Sequence, residues 1–140
     1  MTYAGFYINL DRSVDRRKKI EDELARNGLA GRYTRFAATD GNALGFLKGV
    51  LNDSEIGCFT SHFLLLLENL NSAVPLHVVE DDAIFSKVTE DVINQMSETE
   101  DFKSYDIVYT DIAMSLPHLN FLMFKRSFDA QVKRNKDGLI

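Results

Sequence analysis

The first apolar block, residues 4–10, is interrupted only by Asn9 and reads as a short buried strand. Asp11, Arg12 and Ser13 end it. Ser13 suits a helix N-cap, and Asp15 falls in the first turn, where the helix dipole favours a negative charge. The helix is predicted to run to about Asn27, with Ile20 and Leu24 as its apolar stripe and Gly28 at the C′ position. Residues 32–38 predict a second strand, and Asp40-Gly41 a turn. Residues 42–51 show no clear period and read as an irregular loop. Asn52 and Glu55, three apart, resemble a capping box opening a long helix to about Asn71. Ile56, Phe59, Phe63, Leu67 and Leu70 recur at helical spacing, so this is expected to be a core helix buried on more than one side. Residues 76–79 predict a strand running into Glu80-Asp81-Asp82. Thr89 is expected to cap a short helix through Met96, and residues 105–112 predict a further strand, rich in β-branched and aromatic residues. The alternation of strands and helices predicts an α/β fold with a mostly parallel sheet flanked by helices.

Composition narrows the class. A chain of 140 residues fits a single domain, residues 1–140, able to bury roughly two thirds of its unfolded surface. A hydrophobic content of 45% argues against disorder, and a net charge of −5 argues against a nucleic-acid partner. The one cysteine, Cys58, excludes an intrachain disulfide and reads as a small core residue. No basic-then-apolar leader opens the chain, and the longest unbroken apolar run, residues 63–67, is far short of the roughly 20 residues of a spanning helix. A cytoplasmic protein is expected. The basic residues between Lys125 and Lys136 read either as a solvated helix face or as a contact with anionic lipid at the inner face of the membrane.

Three polar clusters are candidates for chemistry. Glu80, Asp81 and Asp82 directly follow an apolar strand, and ligands of open α/β sheets bind outside the carboxyl ends of strands. In extended chain Glu80 and Asp82 point to one side and Asp81 to the other, so the pair can hold Mn²⁺ or Mg²⁺ against a diphosphate. An exposed acidic turn is the plainer alternative. Asn9, Asp11, Arg12, Arg16 and Arg17 lie where the first strand passes into a helix, a suitable place for phosphate or ribose, or simply a capped helix with solvated arginines. Glu55, Ser61 and His62 are polar on an otherwise apolar helix, although a lone helical His is more often a boundary residue. No P-loop, dinucleotide fingerprint, nucleophile elbow or zinc-type spacing is present.

The order of these motifs resembles glycosyltransferase family 25, the lipooligosaccharide galactosyltransferase-like group. Ile8-Asn9-Leu10-Asp11-Arg12-Ser13 with Asp15-Arg16-Arg17 looks like the family's opening strand. Arg35-Phe36-Ala37-Ala38-Thr39-Asp40-Gly41 is similar to its second segment, Gly57-Cys58 with Ser61-His62 to its helix, and Glu80-Asp81-Asp82 to its acidic motif. The resemblance covers residues 8–83. It implies a GT-A-like nucleotide-binding fold, a UDP-sugar donor and transfer of a hexose, galactose favoured, to a lipopolysaccharide or other glycan acceptor. It places the cation and donor diphosphate at Glu80, Asp81 and Asp82. The nucleotide falls at Asn9, Asp11, Arg12, Arg17, Asp40, Gly41, Ser61 and His62. Residues 1–85 form the motif-bearing half. Residues 86–140 read as a divergent or truncated half with the C-terminal part incomplete, and Asp111 is its candidate base. Two other readings stand beside this one. The first is an impaired transferase that only binds nucleotide or a partner, with slow turnover expected. The second is a phosphoacceptor receiver domain, for which too little chain follows Asp82.

Overall fold

The computed structural model describes residues 3–47 and 51–110, with side chains from 45 to 47 excepted. Residues 1–104 form one compact unit, and residues 105–140 fall in a second. In the first unit, strand β1 (Ala4–Asn9) leads into helix α1 (Val14–Arg26) and strand β2 (Tyr33–Ala37). A 3₁₀ segment (Gly41–Leu47) precedes helix α2 (Asp53–Glu68), strand β3 (Leu76–Glu80) and the short helices α3 (Thr89–Ser97) and α4 (Glu100–Lys103). The three strands are parallel, in the order β2-β1-β3.

Local chemistry accounts for most of the boundaries. Helix α1 ends in a Schellman motif. Gly28 has φ +75°, its N–H donates to the Ala25 carbonyl at 3.2 Å, and the Leu29 N–H reaches back to Leu24 at 2.8 Å. Asn52 and Glu55 form the reciprocal capping box that opens α2. Ser13 stands at the N-cap of α1, but its side chain makes no capping hydrogen bond. Thr89 does not cap α3. Val88 holds that position, and the Thr89 hydroxyl instead accepts from the Ser86 N–H at 3.0 Å.

Core packing is concentrated on one face of the sheet. Tyr3, Tyr7, Tyr33, Phe85 and Leu29 pack with Ile20 and Leu24 of α1, and Val79 and Ala83 lean on the same cluster. Helix α2 departs from its expected role. Phe59, Phe63, Leu67 and Leu70 are exposed, and the buried residues are Ile56, Gly57, Ser61 and Leu65. The reason is close approach. Gly57 and Ser61 are the small side of the helix, and they let it press against the segment 39–41. The large apolar residues are left pointing outward, with the Phe59 and Phe63 rings stacked on each other. Two further expectations fail. Residues 41–47 are 3₁₀-helical rather than irregular, and residues 105–110 form no strand, while residues 111–112 lie outside the described residues.

Within the core, the Tyr33 hydroxyl lies 2.6 Å from His77 Nδ1. Burial lowers the His77 pKa below its ordinary 6.5, so the ring is held neutral. A histidine whose folded pKa lies below its unfolded one binds protons more tightly when unfolded. Its contribution vanishes well above about pH 6.5, and stability falls as the pH drops below it. The urea midpoint is therefore expected to fall from about pH 7.5 to about 5.5, and less steeply in His77→Phe. A wild-type midpoint that stays flat over that interval would contradict this account.

Candidate functional site

Strand β1 sits in the centre of the sheet, with β2 on one side and β3 on the other, so successive connections run in opposite directions from it. Such a switch point opens a crevice beyond the carboxyl ends of the strands, the usual ligand position in open α/β sheets. A cleft of about 240 Å³ lies there, lined by the ends of β1 and β3, the start of α1, residues 38–42 and the first turns of α2. Its volume is below the roughly 300–1,000 Å³ of pockets that enclose a whole small ligand, so it can hold part of one.

Asn9 organises the floor. It is only 2% exposed and uses its amide in several directions. Its Nδ2 donates to Asp81 Oδ2 at 2.6 Å and to the Ser13 carbonyl at 3.2 Å. Its Oδ1 accepts from Arg35 Nε at 3.1 Å, and Arg35 also donates to the Asn9 carbonyl at 2.9 Å. The ends of β1, β2 and β3 and the entry to α1 are thereby tied at one side chain. Asn9 acts here as a positioning residue, with its amide largely spent inside the chain.

Two arginines face the cleft, each already paired. Arg12 pairs with Asp40. Arg16 pairs with Asp81 and lies 3.2 Å from Asp82. Asp81 is largely enclosed, at 9% side-chain exposure, whereas Asp82 is 73% exposed and does not line the cleft. The strand explains this division. Val79 faces the α1 side together with Tyr7, its register partner, so Asp81, two residues on, points toward Asn9 and Arg16. Glu80 points to the opposite face. The strand ends at Glu80, and the Ala83 N–H donates back to the Glu80 carbonyl at 3.1 Å, so strand alternation no longer places Asp82 beside Glu80.

Arg17 and Asp11 lie away from this cleft. Arg17 runs along α1 beside Glu21 at 3.6 Å, and Asp11, 82% exposed, pairs with Arg35 at 2.6 Å. Arg16, rather than Arg17, joins Arg12 at the cleft, and a sequence signal for it existed. Arg16, Ile20 and Leu24 are spaced by four, so Arg16 continues the buried stripe of α1 over the end of the sheet. Asp111 lies outside the described residues.

The wall formed by residues 39–41 is set by the contact with α2. The buried Ser61 hydroxyl donates to the Gly57 carbonyl at 2.6 Å and accepts from the Thr39 N–H at 2.9 Å. Gly41 and Gly57 face each other so closely that a Cβ on Gly57 would stand 2.8 Å from the Thr39 carbonyl oxygen. Ser61 thus lines the cleft mainly by clamping its wall. Asp40 Oδ1 accepts from the Asn42 N–H at 3.1 Å and fixes the turn.

The opposite corner holds Cys58, His62 and Glu80. Cys58 is exposed, contrary to the core role read from the sequence. Its thiol lies 3.4 Å from Glu80 Oε1. Burial first, then the neighbouring Glu80 charge, push its pKa upward, which disfavours a free thiolate nucleophile. The acidic run does not fit an all-carboxylate cage for Mn²⁺ or Mg²⁺. Asp81 has Arg16 and Asn9 as partners, Asp82 faces solvent, and Glu80 lies on the other face of the sheet. Among the described residues, the side chains that converge as possible cation ligands are Cys58, His62 and Glu80.

No helix among the described residues is long and apolar enough to cross a membrane. No curated protein and no solved structure matches the chain. The family model of glycosyltransferase family 25 (LPS biosynthesis protein) matches residues 3–137, continuing well past residue 83, where the motifs end. With that match over nearly the whole chain, and with its four motifs gathered around one cleft at the switch point of a parallel sheet, the chain belongs to glycosyltransferase family 25.

Proposed function

We propose that this chain transfers a hexose, galactose being favoured, from a UDP-sugar to a lipopolysaccharide or other glycan acceptor. The observation that carries the reading is the pair Arg12 and Arg16 at the mouth of a switch-point cleft, beside an α1 N-terminus that Ser13 leaves without a side-chain cap. First-turn N–H groups and two guanidinium groups form a place for a diphosphate. In the transfer, the acceptor oxygen bonds to the anomeric carbon and the bond from that carbon to the UDP oxygen breaks. UDP leaves with the electron pair, and the acceptor's proton passes to a base. Arg12 and Arg16 stabilise the charge that grows on the leaving diphosphate, exchanging Asp40 and Asp81 for phosphate oxygens.

Hydrogen bonds to charged groups are worth about 1.5–3 kcal/mol, so Arg12→Ala and Arg16→Ala should each weaken UDP binding roughly tenfold to a hundredfold. Arg17→Ala, whose side chain runs along α1, should bind as wild type. Calorimetric titration with UDP, followed by UDP release from UDP-galactose and UDP-glucose with a lipooligosaccharide acceptor, checks both binding and transfer. Wild-type UDP affinity in Arg16→Ala would remove this site from the proposal.

A further inference from the structure

Cys58, His62 and Glu80 bring a sulfur, a nitrogen and an oxygen donor together at one corner of the cleft, with the three ligand atoms all within 4.8 Å of one another. Cys58 Sγ is 3.4 Å from Glu80 Oε1 and 3.8 Å from His62 Nδ1. Around a tetrahedral Zn²⁺, bond lengths of about 2.0–2.3 Å set neighbouring donor atoms roughly 3.3–3.8 Å apart. Both measured separations fit that shell. All three ligands stand on regular elements. Cys58 and His62 are one turn apart on α2, and Glu80 is the last residue of β3. His62 Nδ1 also lies 3.0 Å from the Cys58 carbonyl, a contact that it exchanges for the cation on binding. Positions carried by helix and strand vary less than positions on loops, which suits a preformed site.

We propose that this cluster binds a borderline-soft divalent cation, Zn²⁺ by its chemistry, through Cys58 Sγ, a ring nitrogen of His62 and a carboxylate oxygen of Glu80. The donor set excludes the harder ions. Mg²⁺ and Ca²⁺ take six or more oxygens, and only one protein oxygen is offered here, whereas thiolate and imidazole suit Zn²⁺. On binding, the thiol proton is released to solvent and a metal–sulfur bond forms. Three protein ligands leave a fourth position for water or a ligand atom, and all three residues line the cleft, so that position opens on it. The site does not depend on the UDP-sugar reading, because it forms without any nucleotide.

The test uses the tag-free full chain, apo and nucleotide-free. ZnCl₂ is titrated in a calorimeter, and Co²⁺ is added separately as a spectroscopic substitute. The expected result is one Zn²⁺ per chain, no competition from excess Mg²⁺, and a thiolate-to-cobalt charge-transfer band in the near ultraviolet. Cys58→Ser and His62→Ala should each lose at least about tenfold in Zn²⁺ affinity, since even outer-shell changes cost that much. Glu80→Gln should follow them, and Glu68→Gln, near the far end of α2, should match wild type. Circular dichroism of each variant separates loss of the site from loss of the fold. Because Cys58 is exposed, Cys58→Ser in particular should stay folded. UDP titration in excess chelator keeps the two proposals apart, because failure of Zn²⁺ binding with UDP binding intact overturns this one alone. Equal Zn²⁺ affinity in folded Cys58→Ser, or no charge-transfer band with Co²⁺, would show the proposal to be wrong.

Discussion

Asn9→Ala is expected to destabilise the chain by about 2–4 kcal/mol and to abolish UDP binding. The side chain is 2% exposed and joins Asp81, Ser13 and Arg35. Truncation leaves Arg35 Nε without its partner, while the Ser13 carbonyl keeps the Arg17 N–H at 3.0 Å, and a buried group left unpaired costs about 1–3 kcal/mol. Asp81 keeps Arg16 but loses the contact that fixes its orientation. In a chain of this size each kcal/mol moves the melting temperature by roughly 3–4 °C, so a fall of about 10 °C is predicted. Asn9→Asp should do no better, because it sets a second carboxylate against Asp81, where 2.6 Å now separates amide from carboxylate. A wild-type melting temperature for Asn9→Ala would mean that the floor of the cleft is not organised by this residue.

The second large effect is expected at Gly41. A Cβ at this position would lie 1.6 Å from the Asp53 carbonyl oxygen, 2.6 Å from its carbon and 2.9 Å from the Gly57 nitrogen. All three are backbone atoms, so no side-chain rotation relieves the clash and α2 must move away from residues 39–41. Overpacking typically costs about 1–3 kcal/mol and sometimes more. Gly41→Ala should lie at or beyond the upper end of that range. Gly28→Ala is the comparison. Gly28 has φ +75°, but an added Cβ would meet nothing within 4 Å, so only backbone strain of about 1–2 kcal/mol applies. Melting temperatures should therefore rank wild type, then Gly28→Ala, then Gly41→Ala. The reverse order of the two variants would contradict the packing described between α2 and the cleft wall.

Much of the fold was legible because local signals agreed with it. The apolar runs at 4–10 and 76–79, the Asn52–Glu55 box and Gly28 each fix an element by chemistry within a few residues. The facing of α2 was not legible. In a helix so apolar, Phe59-Phe63-Leu67 and Gly57-Ser61-Leu65 are both stripes at helical spacing, and close packing chose the one with small residues. Residues 41–47 had no period to read, since a short 3₁₀ segment presents no lasting face. In the acidic run, strand alternation correctly separated Glu80 from Asp81 but failed at Asp82, because alternation lapses where the strand turns. The converging trio Cys58, His62 and Glu80 was hidden for a different reason. Its members are neighbours only after α2 and β3 are brought together, 22 residues apart along the chain between Cys58 and Glu80.

The central claim is that the cleft at the end of β1 and β3 is the donor-nucleotide site, and a UDP titration followed at backbone amides tests it most directly. Shifts are predicted to concentrate at Asn9, Arg12, Ser13, Arg16, Asp40 and Asp81, to saturate together with a single affinity, and to weaken in parallel in Arg16→Ala. Shifts that map to the exposed outer face of α2, around Phe63 and Leu67, while these six amides stay still, would contradict it.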